Sequence, residues 1–229
     1  MDGLMISSDA IIALLKIVAI DIILSGDNAI VIAMATRRLP ERQRNQAIFW
    51  GTAGAVILRV LFAALIVFLL KIPLVHLIGG FLLLWIAYKV LINDEGETHV
   101  ESADRLLKAI WTIIVADAVM SLDNVVAIAG ASHGHIGMIA FGVAISIPIM
   151  IFGSKAIVMA MERYVWIPYV GSGILAWTAG EMILKDEHVQ RFLPISHGIE
   201  INVALAILTA IVLIAGYLKN KKIDKRKMA

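Results

Sequence analysis

Apolar residues run along this chain in long blocks rather than in the alternating or helical stripes that mark half-buried elements. The blocks lie at 10–35, 46–70, 73–92, 107–131, 137–160, 167–184 and 200–218. Several reach the ~20 residues that carry an α-helix across a hydrocarbon layer, so the pattern predicts seven transmembrane helices. Polar stretches separate them: a basic loop from Thr36 to Arg44, an acidic one from Asp94 to Asp104 that runs into Arg105 and Lys108, and a tail with Lys219, Lys221, Lys222, Lys225, Arg226 and Lys227. None is long enough for a second soluble domain. Residues 1–229 are expected to form a single transmembrane domain.

Composition strengthens this reading. Hydrophobic residues make up 60% of the chain and charged ones 17%, with a mean hydropathy of +0.89. Soluble domains run at about 45–50% apolar and roughly 25% charged. Without cysteine there is no disulfide, thiolate metal site or thiol chemistry. Met1 to Ala10 lacks the basic region of a cleaved signal peptide, so the first block is expected to remain as a helix. Lysine and arginine in short loops favour the cytoplasmic side. With seven spans, Arg37, Arg38, Arg42, Arg44, Arg105, Lys108, Arg163 and the tail share one side, against Lys71, Lys185 and Arg191 on the other. The expected topology in the cell membrane has an external N-terminus and a cytoplasmic C-terminus.

A repeat organises the spans. Asp21, Ser25, Asp27 and Asn28 in span one match Asp117, Ser121, Asp123 and Asn124 in span four at one constant offset, as D-x3-S-x-D-N. Weaker echoes pair Gly51 and Ala53 with Gly142 and Ala144, and Gly80 and Leu82 with Gly173 and Leu175. The expected fold is therefore an all-α membrane protein: one three-helix repeat at 10–92, a second at 107–184, and a seventh helix at 200–218. An odd number of spans per unit makes the two units antiparallel. Inverted repeats with a site near mid-membrane are a recurrent transporter architecture.

The acids sit where charge is expensive. An ionisable residue at a membrane helix centre costs about 2.5–3.5 kcal/mol, so four cost on the order of 10 kcal/mol unless protonated, paired, hydrated or bound to a cation. The purely structural account is pairing with basic residues. Arg59 in span two is a credible partner for one carboxylate, whereas Lys16, Lys89 and Lys155 lie nearer span ends, where snorkelling explains them. That leaves most of the acids unneutralised. The candidate metal ligands are Asp21, Ser25, Asp27, Asn28, Asp117, Ser121, Asp123 and Asn124, an all-oxygen set suited to manganese, calcium or magnesium rather than copper or zinc. On a regular helix Asp21, Ser25 and Asn28 share a face, while Asp27 points about 100° away from Asn28. Either Asp27 serves another layer or the helix loosens at Ser25-Gly26; the second copy has Leu122 at the glycine's position.

The two motifs, the run Trp50-Gly51-Thr52-Ala53-Gly54-Ala55 and the run Trp85-Ile86-Ala87-Tyr88-Lys89 resemble the TerC family of integral membrane proteins over nearly the whole chain, and more narrowly its small seven-helix YjbE-type branch. The resemblance implies metal-ion export, with manganese(II) efflux foremost, and its acidic positions map onto Asp21, Asp27, Asp117 and Asp123 beside Asn28 and Asn124. It supplies the metal and the direction, which spacing does not.

Lesser features take simpler accounts. His133 and His135 read as a solvated loop, Glu181 as an interfacial acid, and Met120, Met150 and Met159 as packing; Pro148 is expected to kink span five. Three functions compete. The first is a divalent-cation transporter in which the empty site holds protons that metal entry displaces, with no prosthetic group and no nucleotide-binding motif. The second is a membrane assembly or metal-loading partner for exported proteins. The third is an intramembrane aspartic protease, disfavoured because each helix brings two acids and an asparagine rather than one member of a dyad. The expected partners are the metal ion, the bilayer and a second copy or another membrane protein, with no nucleic acid; an enzyme is not expected.

Overall fold

The structure is a computed structural model that describes residue 18 and residues 26–69, 74–92, 102–131, 136–192 and 199–227. The described residues form helices and no strand: α1 (Gly26–Thr36), α2 (Glu41–Leu69), α3 (Val75–Leu91), α4 (Ser102–Ala131), α5 (Ile136–Arg163), α6 (Ile167–Lys185), α7 (Glu187–Phe192) and α8 (Ile199–Lys227). Glu41–Leu65, Ile139–Arg163 and Ile199–Lys225 are long and apolar enough to cross a membrane, and Val75–Leu91 is a shorter apolar helix. The helices outrun the apolar blocks at their polar ends. α8 continues through the lysine-rich tail to Lys227, because lysine and arginine are good helix formers whose charges reach water from any face. The short α7 was not expected, since Glu187 to Phe192 carries no apolar period.

Packing sorts the helix ends into two groups. At one end, Leu39, Ala47 and Ala109 cluster, joining the loop after α1 to the starts of α2 and α4. Arg44 Nη1 meets Glu162 Oε1 at 2.5 Å, tying the start of α2 to the end of α5. Arg37 Nη2 donates to the Val90 carbonyl at 3.2 Å, Arg38 to that of Ile92, and Asn220 Nδ2 to that of Leu91 at 3.2 Å. Three polar side chains thus satisfy carbonyls that the end of α3 leaves without intrahelical partners. Burial, and then neighbouring Arg38, push the Arg37 guanidinium down to about 10, against an opposing effect of Tyr169. It is still a cation at neutral pH.

At the other end, the Asp186 carboxylate accepts the backbone N–H of Leu77 at 3.2 Å and that of His188 at 3.0 Å, with His188 Nδ1 at 3.3 Å. One side chain therefore serves the first turns of both α3 and α7, where N–H groups lack intrahelical acceptors. Burial raises the Asp186 carboxyl, but those hydrogen bonds and His188 outweigh it and hold the group below the usual carboxylate range. A depressed folded value means stabilisation that is complete above the unfolded value, about 3.9, and is lost as pH falls through the folded one. Asp186→Ala should cost about 1 kcal/mol at pH 7. The gap from the unsubstituted protein should close as the pH drops below ~4, read by unfolding midpoints across a pH series; a gap unchanged by acid would refute the capping role.

Two close crossings set the core. α2 runs parallel beside α4: Gly51 faces Ile113, Gly54 faces Ile114, and Ala63 clusters with Val125. α3 crosses α6 antiparallel, with Gly80 over Ala179 and Ile183, and Ser172 donating to the Ala87 carbonyl at 2.9 Å. α1 packs against α5, α4 and α6, and α8 lies outside α6 and α3. Trp111, Phe152, Val203, Ile207, Ile211 and Ile214 point outward, as lipid-facing positions of a membrane bundle would.

Candidate cation site

The centre of the bundle holds polar side chains from α1, α2 and α4. α4 is an unbroken helix from Ser102 to Ala131, so no loosening occurs at Leu122. Its spacing puts Asp117 and Ser121 one above the other, and the Ser121 hydroxyl donates to Asp117 Oδ2 at 3.1 Å. Arg59 enters from α2. Its Nη2 donates to Asp117 Oδ1 at 2.6 Å and its Nε to Ser121 Oγ at 3.0 Å. The guanidinium is 1% exposed and Asp117 is buried. This pair is desolvated, charge-assisted and stronger than a surface ion pair.

α1, packed against α4, brings Asp27 and Asn28 from the start of its described part. Asn28 is 2% exposed, and neither its Nδ2 nor its Oδ1 has a hydrogen-bond partner among the described residues. Asp27 Oδ1 is likewise enclosed and unpartnered, while the backbone N–H groups of Asp27 and Asn28 face the rest of its carboxylate. Asp117 and Arg59 lie close enough to act on the Asp27 charge. Folded proteins pair nearly all buried polar atoms, so three orphans on adjacent residues call for a ligand. Asn124 is buried on α4, and the Thr52 hydroxyl on α2 is 1% exposed without a partner. Thr52 shares the Arg59 face two turns earlier, ~10 Å toward the Arg44 end.

Of the sequence-predicted ligands, Asp27, Asn28, Asp117, Ser121 and Asn124 are buried or partly buried on the facing helices α1 and α4. Asp21 and Ser25 lie outside the described residues, as does the question of whether span one loosens at Ser25-Gly26. Asp123 lies within α4, but its side chain is outside the described ones. Among the described residues no three His, Asp or Glu side chains form a metal cluster. Arg59, weighed in the sequence only as a neutralising partner, is the residue that organises the site. Thr52 was missed as a candidate; its signal is the seven-residue spacing to Arg59, legible only once Arg59 is known to face inward.

The other sequence assignments also find places. Met120 and Met150 are buried, whereas Met159 is exposed. Glu181 is exposed and accepts the Trp177 indole N–H at 2.8 Å, as an interfacial acid would. Lys89 lies over the Trp85 ring at 4.5 Å, which explains its charge near a span end. Pro148 sits inside a continuous α5. His133 and His135 lie outside the described residues.

The family model described as "Integral membrane protein TerC family" matches residues 6–223. The Bacillus subtilis (strain 168) protein named "Uncharacterized membrane protein YjbE" is 45% identical over 217 residues, covering 95% of this chain and 99% of its own. The Escherichia coli (strain K12) "UPF0053 inner membrane protein YgdQ" is 28% identical over 203 residues, covering 80% of this chain and 85% of its own. A Haemophilus influenzae "UPF0053 protein" is 30% identical over 169 residues, covering 65% and 71%. No solved structure matches the chain.

Proposed function

The chain belongs to the TerC family of integral membrane proteins, and from that premise we propose that it transports a divalent metal ion, manganese(II) foremost, out of the cell through the site between α1 and α4. The observation that carries the reading is the set of buried polar atoms without partners among the described residues at Asp27 and Asn28, with Asp117 and Arg59 close enough to act on the Asp27 charge. Desolvated oxygens without partners cost free energy that an arriving cation recovers. Asp27, Asn28, Asp117, Ser121 and Asn124 are the described ligands, and Asp21, Ser25 and Asp123 complete the proposed set. Carboxylate, amide and hydroxyl oxygens suit manganese, with calcium and magnesium as competitors. Direction rests on the family resemblance.

The architecture in this reading is seven spans, two inverted three-helix units and a seventh helix, in one transmembrane domain. It is supported by the sorting of helix ends: the end of α1, start of α2, end of α3, start of α4, end of α5 and start of α6 gather at the Arg44 end. Parallel packing of α2 on α4 and antiparallel crossing of α3 on α6 are what two antiparallel copies of one unit would generate. The basic residues at the Arg44 end assign it to the cytoplasm, leaving Asp186 outside. Displacement of site protons by the metal gives a route to proton coupling. The protein is a carrier in this account and not an enzyme.

Reconstituted vesicles test it directly. Manganese flux should exceed that of empty vesicles and fall to their level with Asp27→Asn or Asp123→Asn. Full flux in a folded Asp27→Asn protein would remove this residue from the site, and with it the assignment.

A further inference from the structure

The strongest cation in the proposed site is covalently part of the chain. Arg59 engages Asp117 Oδ1 and Ser121 Oγ at once, and Ser121 closes the triangle onto Asp117 Oδ2. These are two of the ligands that α4 offers, and one positive charge already holds both. Divalent cations sit about 2.0–2.6 Å from their oxygens. A metal ion on Asp117 would therefore lie within a few ångströms of the guanidinium, cation against cation in a poorly solvated space. Proton loss does not relieve the conflict, because arginine stays protonated in proteins. Movement does, since the side chain is long and its charge rides on a flexible stem.

We propose that Arg59 is a tethered counter-cation that exchanges with the transported ion. It holds Asp117 and Ser121 in one state and leaves them when a divalent cation binds in the other. The proposal rests on the ion-site reading above and adds what fills that site between ions. Its physical merit is charge balance at α4: the buried Asp117 carboxylate never faces low-dielectric surroundings without a positive partner. The site then cycles between a charge of one on the tether and a charge of two on the cargo. Asp27 Oδ1 and Asn28 Oδ1, which have no partner among the described residues, remain for the metal, so the arriving ion has ligands to bind before the arginine departs.

The test uses the full-length protein in lipid nanodiscs with manganese(II) alone as the probe, and binding heat as the readout. Removing the competitor should tighten binding: Arg59→Gln is expected to raise manganese affinity on the order of tenfold or more, given the strength of hydrogen bonds to charged groups. The same variant should slow flux in vesicles, because its empty site lacks the counter-charge. Arg59→Lys keeps the charge but not the fork that reaches both groups, and its affinity should fall between. Affinity equal to or weaker than the unsubstituted protein in folded Arg59→Gln overturns the exchange. Should that variant not fold, Arg59→Lys decides alone, and unchanged or weaker affinity there overturns the exchange equally. Failure of the underlying site reading looks different: the unsubstituted protein would not bind manganese, or Asp27→Asn would bind it as well.

Discussion

Asp117→Leu should destabilise the folded protein by about 3–5 kcal/mol, the range seen when one member of a buried ion pair is removed. The cause is not the lost attraction itself. Arg59 is 1% exposed and spends its Nη2 on Asp117 at 2.6 Å; without the carboxylate, a permanent cation in the bundle core loses that charged partner. The double replacement Arg59→Met with Asp117→Leu should recover most of the loss, because a matched apolar pair carries no desolvation penalty. Unfolding in mixed micelles measures all three proteins. If the double variant were as unstable as Asp117→Leu, the pair would not be the source of the effect. Both variants should be inactive in transport, so stability and flux would separate in the double variant.

The second large effect is steric. A Cβ at Gly80 would lie 2.6 Å from Ile183 Cγ1 and 2.8 Å from the Ala179 carbonyl oxygen. The side chain can turn aside, but the carbonyl belongs to the α6 backbone and moves only if the helix does. Gly80→Leu should therefore drive α3 and α6 apart and cost about 3 kcal/mol or more, at the upper end of overpacking. Even Gly80→Ala should be clearly destabilising. Gly137, whose added Cβ meets nothing within 4 Å, provides the contrast: Gly137→Ala should be neutral or stabilising by roughly 0.5–1 kcal/mol through backbone entropy. Equal responses at the two glycines would show that close helix approach does not set the requirement at Gly80. The α3–α6 crossing carries the Asp186 cap at the end away from Arg44, so its disruption should also weaken the pH dependence of stability described above.

Transmembrane character was legible in the chain because hydrocarbon imposes a length and a polarity that composition records residue by residue. The apolar blocks from 46 to 218 each fall largely within a helix, and the D-x3-S-x-D-N pair marked α1 and α4 as the helices bearing the candidate ligands. Spacing alone put Asp117 and Ser121 on one face, and they are hydrogen-bonded at 3.1 Å. Helix ends were less legible. Lysine continues α8 to Lys227 as readily as it would form a tail, and α7 is held by Asp186 rather than by any period of its own.

What the sequence by itself determined was the solvent of the fold and the two helices bearing acidic motifs, since both follow from local rules: the cost of charge in lipid and the 3.6-residue turn. What only the tertiary structure decided was which charge meets which. Arg59 lies 58 residues from Asp117; its place in span two marks it as a partner for one carboxylate, but nothing in the sequence says which of the four it meets. Parallel packing of α2 on α4 makes that choice. The bundle likewise leaves Asp27 Oδ1 and the Asn28 side-chain amide without partners among the described residues, because an unpaired buried polar atom is a property of its surroundings and cannot be written into a single helix.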